Sequence, residues 1–295
     1  MTDRLGGHAL RLCALGSALA TVGIVAVLIS ESWGFFAGLA DAGPAGLAGF
    51  LRLLNGTLLV AIGAGVIALP LGLGCAVFLS EFASAGTQRI VRPMLEMMAG
   101  IPTVVYGFFA VFFVTPLVRA VLPGAGVFSA ASASAVVAIM VLPMITSMSE
   151  RSISNVNPAL KEAALGLGAT PTEASRRVVV PAARAGIMSS VVLAFGRAVG
   201  ETMIVTLAAG TTPRFTLNPL ESIQTLTAFT LGAGTGDPAT GSRPYETVFA
   251  VGLVLCAMAV GITAIGRRLT SGGTGAPLTT PAGLHPLPDS AGSGG

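Results

Sequence analysis

The sequence predicts an all-α membrane protein with six transmembrane helices, and three observations lead to this prediction. Charged residues make up only 10% of the 295 residues, whereas a soluble domain carries about 25%. The mean hydropathy is +0.83. The apolar residues also lie in six long stretches, each near the ~20 residues with which a helix crosses a bilayer. So few charges leave too little polar surface for a soluble globular domain, which excludes that class.

The six predicted spans differ in their charge content. The first apolar run, residues 12–30, is longer than the core of about 7–15 residues in a cleaved signal peptide, so we interpret it as an uncleaved span. The fifth span is unusual because Arg197 and Glu201 lie well inside it. The spans cover approximately residues 10–30, 54–80, 97–119, 129–148, 186–209 and 246–267.

The basic residues predict how the spans are oriented. With a cytoplasmic N-terminus, eleven Lys and Arg residues fall in cytoplasmic segments and four in external ones, as the positive-inside rule requires. Both termini, residues 1–9 and 270–295, are therefore predicted to be cytoplasmic on either side of a membrane domain, 10–269. The tail 270–295 is rich in Gly, Ser, Thr and Pro, which predicts disorder. The largest cytoplasmic segment is 149–185.

Two predicted external segments, residues 31–53 and 210–245, join pairs of spans. In the second, Asn218-Pro219 followed by Glu221 has the pattern of an N-cap, a proline at the first helical position and an acidic residue in the first turn. We therefore predict a short external helix from Asn218 to about Leu231.

The largest cytoplasmic segment is predicted to contain two short helices. Asn157-Pro158 supplies an N-cap and a first-turn proline, and Gly168 closes the first helix. Thr170 and Glu173 form a capping box that predicts a second helix, which ends before Pro181. The first helix carries a narrow stripe of apolar and small residues suited to a groove on another protein or to lipid head groups. The stripe consists of Leu160, Ala163, Ala164 and Leu167.

The same segment resembles the EAA loop of the permeases of ATP-binding-cassette (ABC) importers. The match comprises Glu162, Ala163, Ala164, Gly168, Val178, Val180 and Pro181 at the family's spacing. The resemblance implies a type I ABC importer (MetI-like) permease fold, in which this loop forms a coupling helix that docks on a cytoplasmic ATPase. That partner is expected to bind ATP and Mg, since this sequence has no GxxxxGK[ST] loop. The chain itself is expected to be no enzyme and to hold no cofactor.

Four further runs are similar to the permeases of the phosphate-specific transport (Pst) system, to the PstC type more than to its PstA sister. The runs are Leu54–Leu58, Leu79–Phe82, Gly100–Phe109 and Gly196–Met203, and the resemblance extends over about residues 10–268. It implies one half of an inorganic phosphate pathway in a bacterial inner membrane. The implied partners are a PstA-like permease, a PstB-like ATPase dimer and a PstS-like extracytoplasmic phosphate-binding protein.

The charges of the fifth span are the candidate substrate-pathway residues. A charged side chain at the centre of a membrane helix costs about 2.5–3.5 kcal/mol, so Arg197 and Glu201 need compensation. Four residues apart on one helix, they share a face and are able to pair, as a structural anchor. Alternatively, Arg197 presents its planar fork to phosphate while Glu201 holds it in place, the role that the Pst resemblance implies. The hydroxyl of Thr202 adds a donor or bonds its own helix backbone, and we favour the backbone.

Other interpretations remain open from the sequence. The nearest are a PstA-like sister subunit and a permease for another oxyanion, such as molybdate or sulfate. A membrane enzyme or a channel would use Arg197 and Glu201 as a catalytic or selectivity pair. Against these stand the absence of a nucleophile beside a base at membrane depth and the presence of the EAA loop. The three cysteines lack metal-ligand spacing. Tyr106 is predicted to pack or to face lipid, in preference to the alternative that its hydroxyl faces the cavity.

Overall fold

The structure is a computed structural model that describes residues 2–236 and 238–271. Within these residues all regular structure is helical, as predicted. The predicted disordered tail, apart from its first two residues, lies outside the described residues. The elements are α1 (Thr2–Glu81), α2 (Ala85–Ala99), α3 (Thr103–Phe109), the π-helix π1 (Ala110–Val114), α4 (Thr115–Val121), α5 (Ala130–Ser154), α6 (Pro158–Gly166), α7 (Pro171–Ala174), the π-helix π2 (Ser175–Val179), α8 (Val180–Ala182), α9 (Arg184–Val199), α10 (Met203–Ala208), α11 (Leu226–Thr235) and α12 (Arg243–Ser271).

Five helical stretches of the described chain are long and apolar enough to cross a membrane. They are Arg11–Gly38, Leu47–Glu81, Thr103–Val121, Ala130–Ser154 and Arg243–Leu269. A sixth candidate consists of Pro171–Ala182 followed by α9, two pieces that meet at an angle of 67°. The chain is therefore a multi-pass membrane protein with an all-helical fold.

Helix α5 lies at the centre of the fold. In its most apolar stretch 61% of the residues are buried, and it packs against α1, α9 and α10. Small residues allow the close approach of α1, because a Cβ on Gly72 would lie 2.8 Å from a methyl group of Ile145. Two hydroxyls of α5 bond the backbone of α1: Ser134 donates to the Val60 carbonyl at 3.3 Å and Thr146 to the Gly72 carbonyl at 3.2 Å.

The predicted connection 31–53 differs from the expectation of a linker between separate spans. Its backbone is helical throughout, so the first two spans belong to the single helical stretch α1. Five alanines and four leucines in this segment are strong helix formers, and they offset its five glycines and Pro44.

The predicted external helix begins later than the capping pattern indicates. Helix α11 starts at Leu226, and its N-cap is Thr225, whose hydroxyl accepts a bond from the Ala228 amide at 3.1 Å. Asn218 instead closes a turn, since its Oδ1 accepts from the Leu220 amide at 3.1 Å. The backbone carbonyls that follow are engaged by the chain around the start of α5, with Ala131 N donating to Pro219 O at 2.7 Å. These tertiary bonds compete with a helix at 218, and an Asn-Pro pair serves a turn equally well.

Candidate functional sites: the broken fifth span and the loop 149–185

The predicted fifth span, residues 186–209, is broken at Gly200. Helix α9 ends at Val199 and α10 begins at Met203. Between them, Glu201 Oε1 accepts hydrogen bonds from the amides of Met203 at 3.0 Å and Ile204 at 3.2 Å. A carboxylate in this position accepts hydrogen bonds from amides that have no partner within the helix. It is also stabilised by the positive end of the helix dipole. Glu201, whose exposure is 7%, therefore caps α10.

The predicted pairing of Arg197 with Glu201 is not formed. The prediction placed both on one face of a continuous helix, but the break turns the carboxylate to the amides of α10. No ion pair within 4.0 Å joins the two side chains in the described structure. The reason is local: Gly200 ends α9, and the free amides of α10 compete for the same carboxylate oxygen. No direct contact therefore supports the predicted role of Glu201 as the group that holds Arg197 in place.

Arg197 lies at the exposed edge of α9. Among the described residues, no hydrogen bond or ion pair engages its guanidinium, whose five N–H donors remain available to an anion or another subunit. The positive charge of Arg197 lies close enough to Tyr106 to interact with it electrostatically. Tyr106 is 5% exposed and donates its hydroxyl to the Met98 carbonyl at 2.8 Å. Of the two predicted roles of Tyr106, packing is confirmed and a lipid-facing position is wrong.

A buried threonine cluster fixes the break against its neighbours, and the sequence analysis missed it. Thr227 Oγ1 donates to the Glu201 carbonyl at 2.6 Å and lies 3.1 Å from Thr225 Oγ1. The Leu226 amide donates to Thr57 Oγ1 of α1 at 2.9 Å. Thr202 Oγ1 donates to the Gly200 carbonyl at 3.4 Å, the local backbone bond that we favoured. Three threonines in otherwise apolar surroundings were the signal in the sequence, but their proximity depends on the tertiary fold.

The loop 149–185, predicted to be cytoplasmic, has the predicted caps. Asn157 Oδ1 accepts from the Ala159 amide at 3.0 Å, and Gly168 has a φ of +91°, the left-handed conformation that ends a helix. Thr170 and Glu173 form the predicted capping box. Hydrogen bonds from the amide and hydroxyl of Thr170 hold the pKa of the Glu173 carboxyl below its ordinary value of 4.5.

Helix α6 presents the EAA residues without covering them. None of its residues is buried, Glu162 and Ala163 are exposed, and Ala164 is half-buried. Leu167, at the end of the predicted stripe, is 90% exposed. An apolar side chain so open to water is suited to contact with a partner or a lipid surface.

The second helix of the loop continues through Pro181, whereas the prediction ended it before this residue. The π-helix π2 leads into α8, and Pro181 lies in the first turn of α8, where its missing N–H is tolerated. The chain then bends by 67° into α9. Under the bend is a small core of Ala76, Ile153, Val179 and Ala183.

Two ion pairs lie at the ends of the helices that are predicted to be cytoplasmic. Lys161 Nζ of α6 approaches Glu81 Oε2 at 2.8 Å. Arg92 Nε of α2 donates to Glu150 Oε1 of α5 at 2.9 Å. The second pair borders a polar cavity of about 460 Å³, which is lined by Arg92, Glu96, Ser147, Glu150, Arg151, Ser154 and Asn155.

Within residues 2–236 and 238–271, no three His, Cys, Asp or Glu side chains lie together as metal ligands.

The sequence of this chain is similar to those of known transport proteins. The family described as "Binding-protein-dependent transport system inner membrane component" matches residues 68–271. The phosphate transport system permease protein PstC of Mesorhizobium japonicum is 35% identical over 286 residues, which cover 90% of this chain and 84% of that protein. The probable ABC transporter permease protein YqgH of Bacillus subtilis is 33% identical over 223 residues, with coverage of 76% and 72%.

Solved structures support the same fold. The inward-facing MetNI methionine ABC transporter has a TM-score of 0.57 at 20% identity, covering 76% of this chain and 94% of the matched chain. A bacterial ABC transporter involved in alginate import has a TM-score of 0.58 at 18% identity, with coverage of 77% and 80%. Together with the family match and the relatives, these findings show that the chain belongs to the binding-protein-dependent transport system inner membrane components, as a PstC-type permease.

Proposed function

We propose that this chain is the PstC-like permease subunit of an ATP-driven importer of inorganic phosphate. The observation that carries the proposal is the 35% identity to a phosphate transport system permease over 90% of the chain. In the proposed complex the chain forms half of the pathway beside a PstA-like permease. A PstS-like protein delivers phosphate from outside, and both termini of this chain lie in the cytoplasm.

Helix α6 supplies the proposed contact with a PstB-like ATPase dimer. Its capped ends hold a short, rigid helix whose stripe is open to a groove, and Leu167 is 90% exposed. ATP and Mg bind to the ATPase in this proposal, and this chain contributes the movement. A lipid-bound α6 is the rival interpretation.

A substitution on the stripe separates these two interpretations. Ala164→Glu places a charge on the half-buried position of the stripe, and we expect it to abolish co-purification of the ATPase with the permease. Thr172→Glu is the matched control, because Thr172 is exposed in the first turn of α7, off the stripe. Retention of the ATPase by both variants would favour the lipid-bound interpretation.

Arg197 is the proposed phosphate contact in the pathway. Its guanidinium has the bidentate geometry that suits phosphate oxygens, and Glu201 leaves it unneutralised because that carboxylate caps α10. Thr202 lies at the same break, where its hydroxyl bonds the backbone. In this proposal Glu201 and Thr202 act by shaping the break from which Arg197 reaches the anion.

Labelled-phosphate uptake at micromolar concentration tests the proposal in cells that lack this gene. Wild-type chain is expected to restore uptake that excess sulfate and molybdate leave unchanged. Arg197→Ala is expected to abolish uptake with the complex intact, whereas Arg119→Ala, a matched exposed arginine at the end of α4, retains it. Competition by sulfate or molybdate would identify another oxyanion as substrate, and normal uptake by Arg197→Ala would remove Arg197 from the pathway.

A further inference from the structure

We propose that the ion pair between Glu81 and Lys161 transmits the movement of α6 to the cytoplasmic end of α1, so that Glu81 is a positioning residue for the coupling of ATP hydrolysis to transport. The inference rests on the proposed function, in which an ATPase moves α6. Lys161 directly precedes Glu162-Ala163-Ala164 on α6, and Glu81 is the last residue of α1. The pair thus joins the proposed docking helix to a membrane-spanning helix.

The two partners differ in how firmly the fold holds them. The Glu81 side chain is 7% exposed, whereas that of Lys161 is 35% exposed. Helix α6 buries none of its own residues and packs mainly against α7 and π2 of the same loop. A shift of α6 therefore meets little packing resistance from the membrane helices, and the ion pair is a direct link to α1.

The chemistry of Glu81 makes this link costly to break. A carboxylate at the C-terminus of a helix faces the negative end of the helix dipole, and its burial adds a desolvation penalty. Glu81 Oε2 is buried without a hydrogen bond of good geometry in the described structure, so the ammonium at 2.8 Å is its compensation. Removal of Lys161 leaves the buried Glu81 carboxylate uncompensated, which is strongly unfavourable. When α6 moves, the end of α1 is therefore drawn with it.

The end of α1 is connected in turn to the helices of the pathway. Ser80 Oγ of α1 lies 3.2 Å from Ser154 Oγ of α5. Ala76 of α1 shares a small core with Ile153 of α5 and Ala183, which directly precedes α9. Helix α9 carries Arg197. A displacement of Glu81 is therefore passed through packed contacts to the helix that holds the proposed phosphate contact.

The test measures phosphate transported per ATP hydrolysed by the complete complex in proteoliposomes, with binding protein present. Glu81→Gln is expected to retain complex assembly and ATP hydrolysis but to lower the ratio about tenfold, a typical size for coupling between sites. The charge-swapped pair Glu81→Lys with Lys161→Glu is expected to recover most of the ratio. Glu96→Gln is the matched control, since Glu96 is an exposed acid on α2 without an ion pair in the described structure.

Two results would overturn the proposal. One is a wild-type ratio in both Glu81→Gln and Lys161→Gln; the other is an assembled charge-swapped complex that remains as uncoupled as Glu81→Gln. If Glu81→Gln fails to assemble, the comparison of Lys161→Arg with Lys161→Gln tests the proposal instead. Equal ratios of phosphate transported to ATP hydrolysed in these two variants would contradict a role for the charge. A wild-type complex that binds no ATPase or moves no phosphate contradicts the proposed function itself, and so the two failures are distinguishable.

Discussion

At the scale of single residues, Glu201 illustrates how backbone groups compete with a side-chain partner. Its carboxylate lies within reach of two free amides of α10, and it bonds both. Arg197 is consequently left without a carboxylate partner among the described residues. A cation in an apolar setting that its neighbour does not neutralise attracts an anion more strongly than a paired one.

Two substitutions of Glu201 separate its charge from its capping role. Glu201→Ala removes the cap, and we expect it to cost about 1 kcal/mol of stability, typical for the loss of an N-cap. Glu201→Gln keeps an acceptor oxygen and is expected to remain closer to wild type. Thermal unfolding of the purified protein in detergent measures both, and an unchanged midpoint for Glu201→Ala would contradict the capping role.

The capping box predicts that the stability of the loop 149–185 depends on pH. The pKa of Glu173 is lowered in the folded loop, first by the Thr170 amide and then by its hydroxyl. A lowered pKa stabilises the loop above its ordinary value of 4.5, and this contribution is lost as the pH falls through the folded-state pKa. The protection factors of residues 170–174, that is, their exchange corrected for the intrinsic pH dependence, are therefore expected to fall below that pKa. Glu173→Gln, in which nothing titrates, is expected to show no such step.

At the scale of elements, caps that depend on adjacent residues were predictable, and those that depend on distant residues were not. The ends of α6 and the start of α7 follow from side chains within three residues, and the structure has them as predicted. The start of α11 was predicted wrongly, since its place depends on bonds from the chain around the start of α5. The break at Gly200 escaped prediction because hydropathy is equally high on both sides of it, and its threonine anchors come from α1 and α11.

Two glycines at the end of α6 offer a matched test of its termination. Gly168 has a φ of +91° and Gly166 is helical, and a Cβ at either would meet open space. Gly168→Ala is therefore expected to cost about 1–2 kcal/mol through backbone strain alone, while Gly166→Ala is neutral or stabilising. Hydrogen exchange across residues 158–170 is expected to be faster in Gly168→Ala. Equal exchange in the two variants would contradict the left-handed end of α6.

At the scale of the whole molecule, composition determined most of what was predicted. Low charge and long apolar stretches indicate an all-helical membrane protein, because a lone strand or loop leaves backbone groups unsatisfied in lipid. The sequence pattern did not reveal that residues 31–53 continue a helix, or that α5 is the central helix. Both facts depend on which helices pack together, and hydropathy carries no information on the choice of neighbour.

The proposed orientation predicts which sites a reagent reaches from outside the cell. Leu217 is 78% exposed in the proposed external segment, and Leu167 is 90% exposed in the proposed cytoplasmic loop. In intact cells a membrane-impermeant maleimide is expected to label Leu217→Cys, and to label Leu167→Cys only after permeabilisation. The parent chain, with Cys13, Cys75 and Cys256 placed in apolar spans, serves as the background. The reverse pattern would invert the topology.

The contrast between the first span and α5 has a consequence for how the protein is made. The most apolar stretch of Arg11–Gly38 is 0% buried by the rest of the chain, whereas that of α5 is 61% buried. Helix α5 also contains the buried hydroxyls of Ser134, Thr146 and Ser149, whose hydrogen-bond partners lie on α1 and α9 and are absent in lipid alone. The nascent first span is thus able to leave the translocon by itself, while α5 must wait for α1 and, through the Ser149–Ser190 contact of 2.7 Å, for α9. Membrane insertion therefore follows the order of synthesis at the first span but requires joint release of helices at α5.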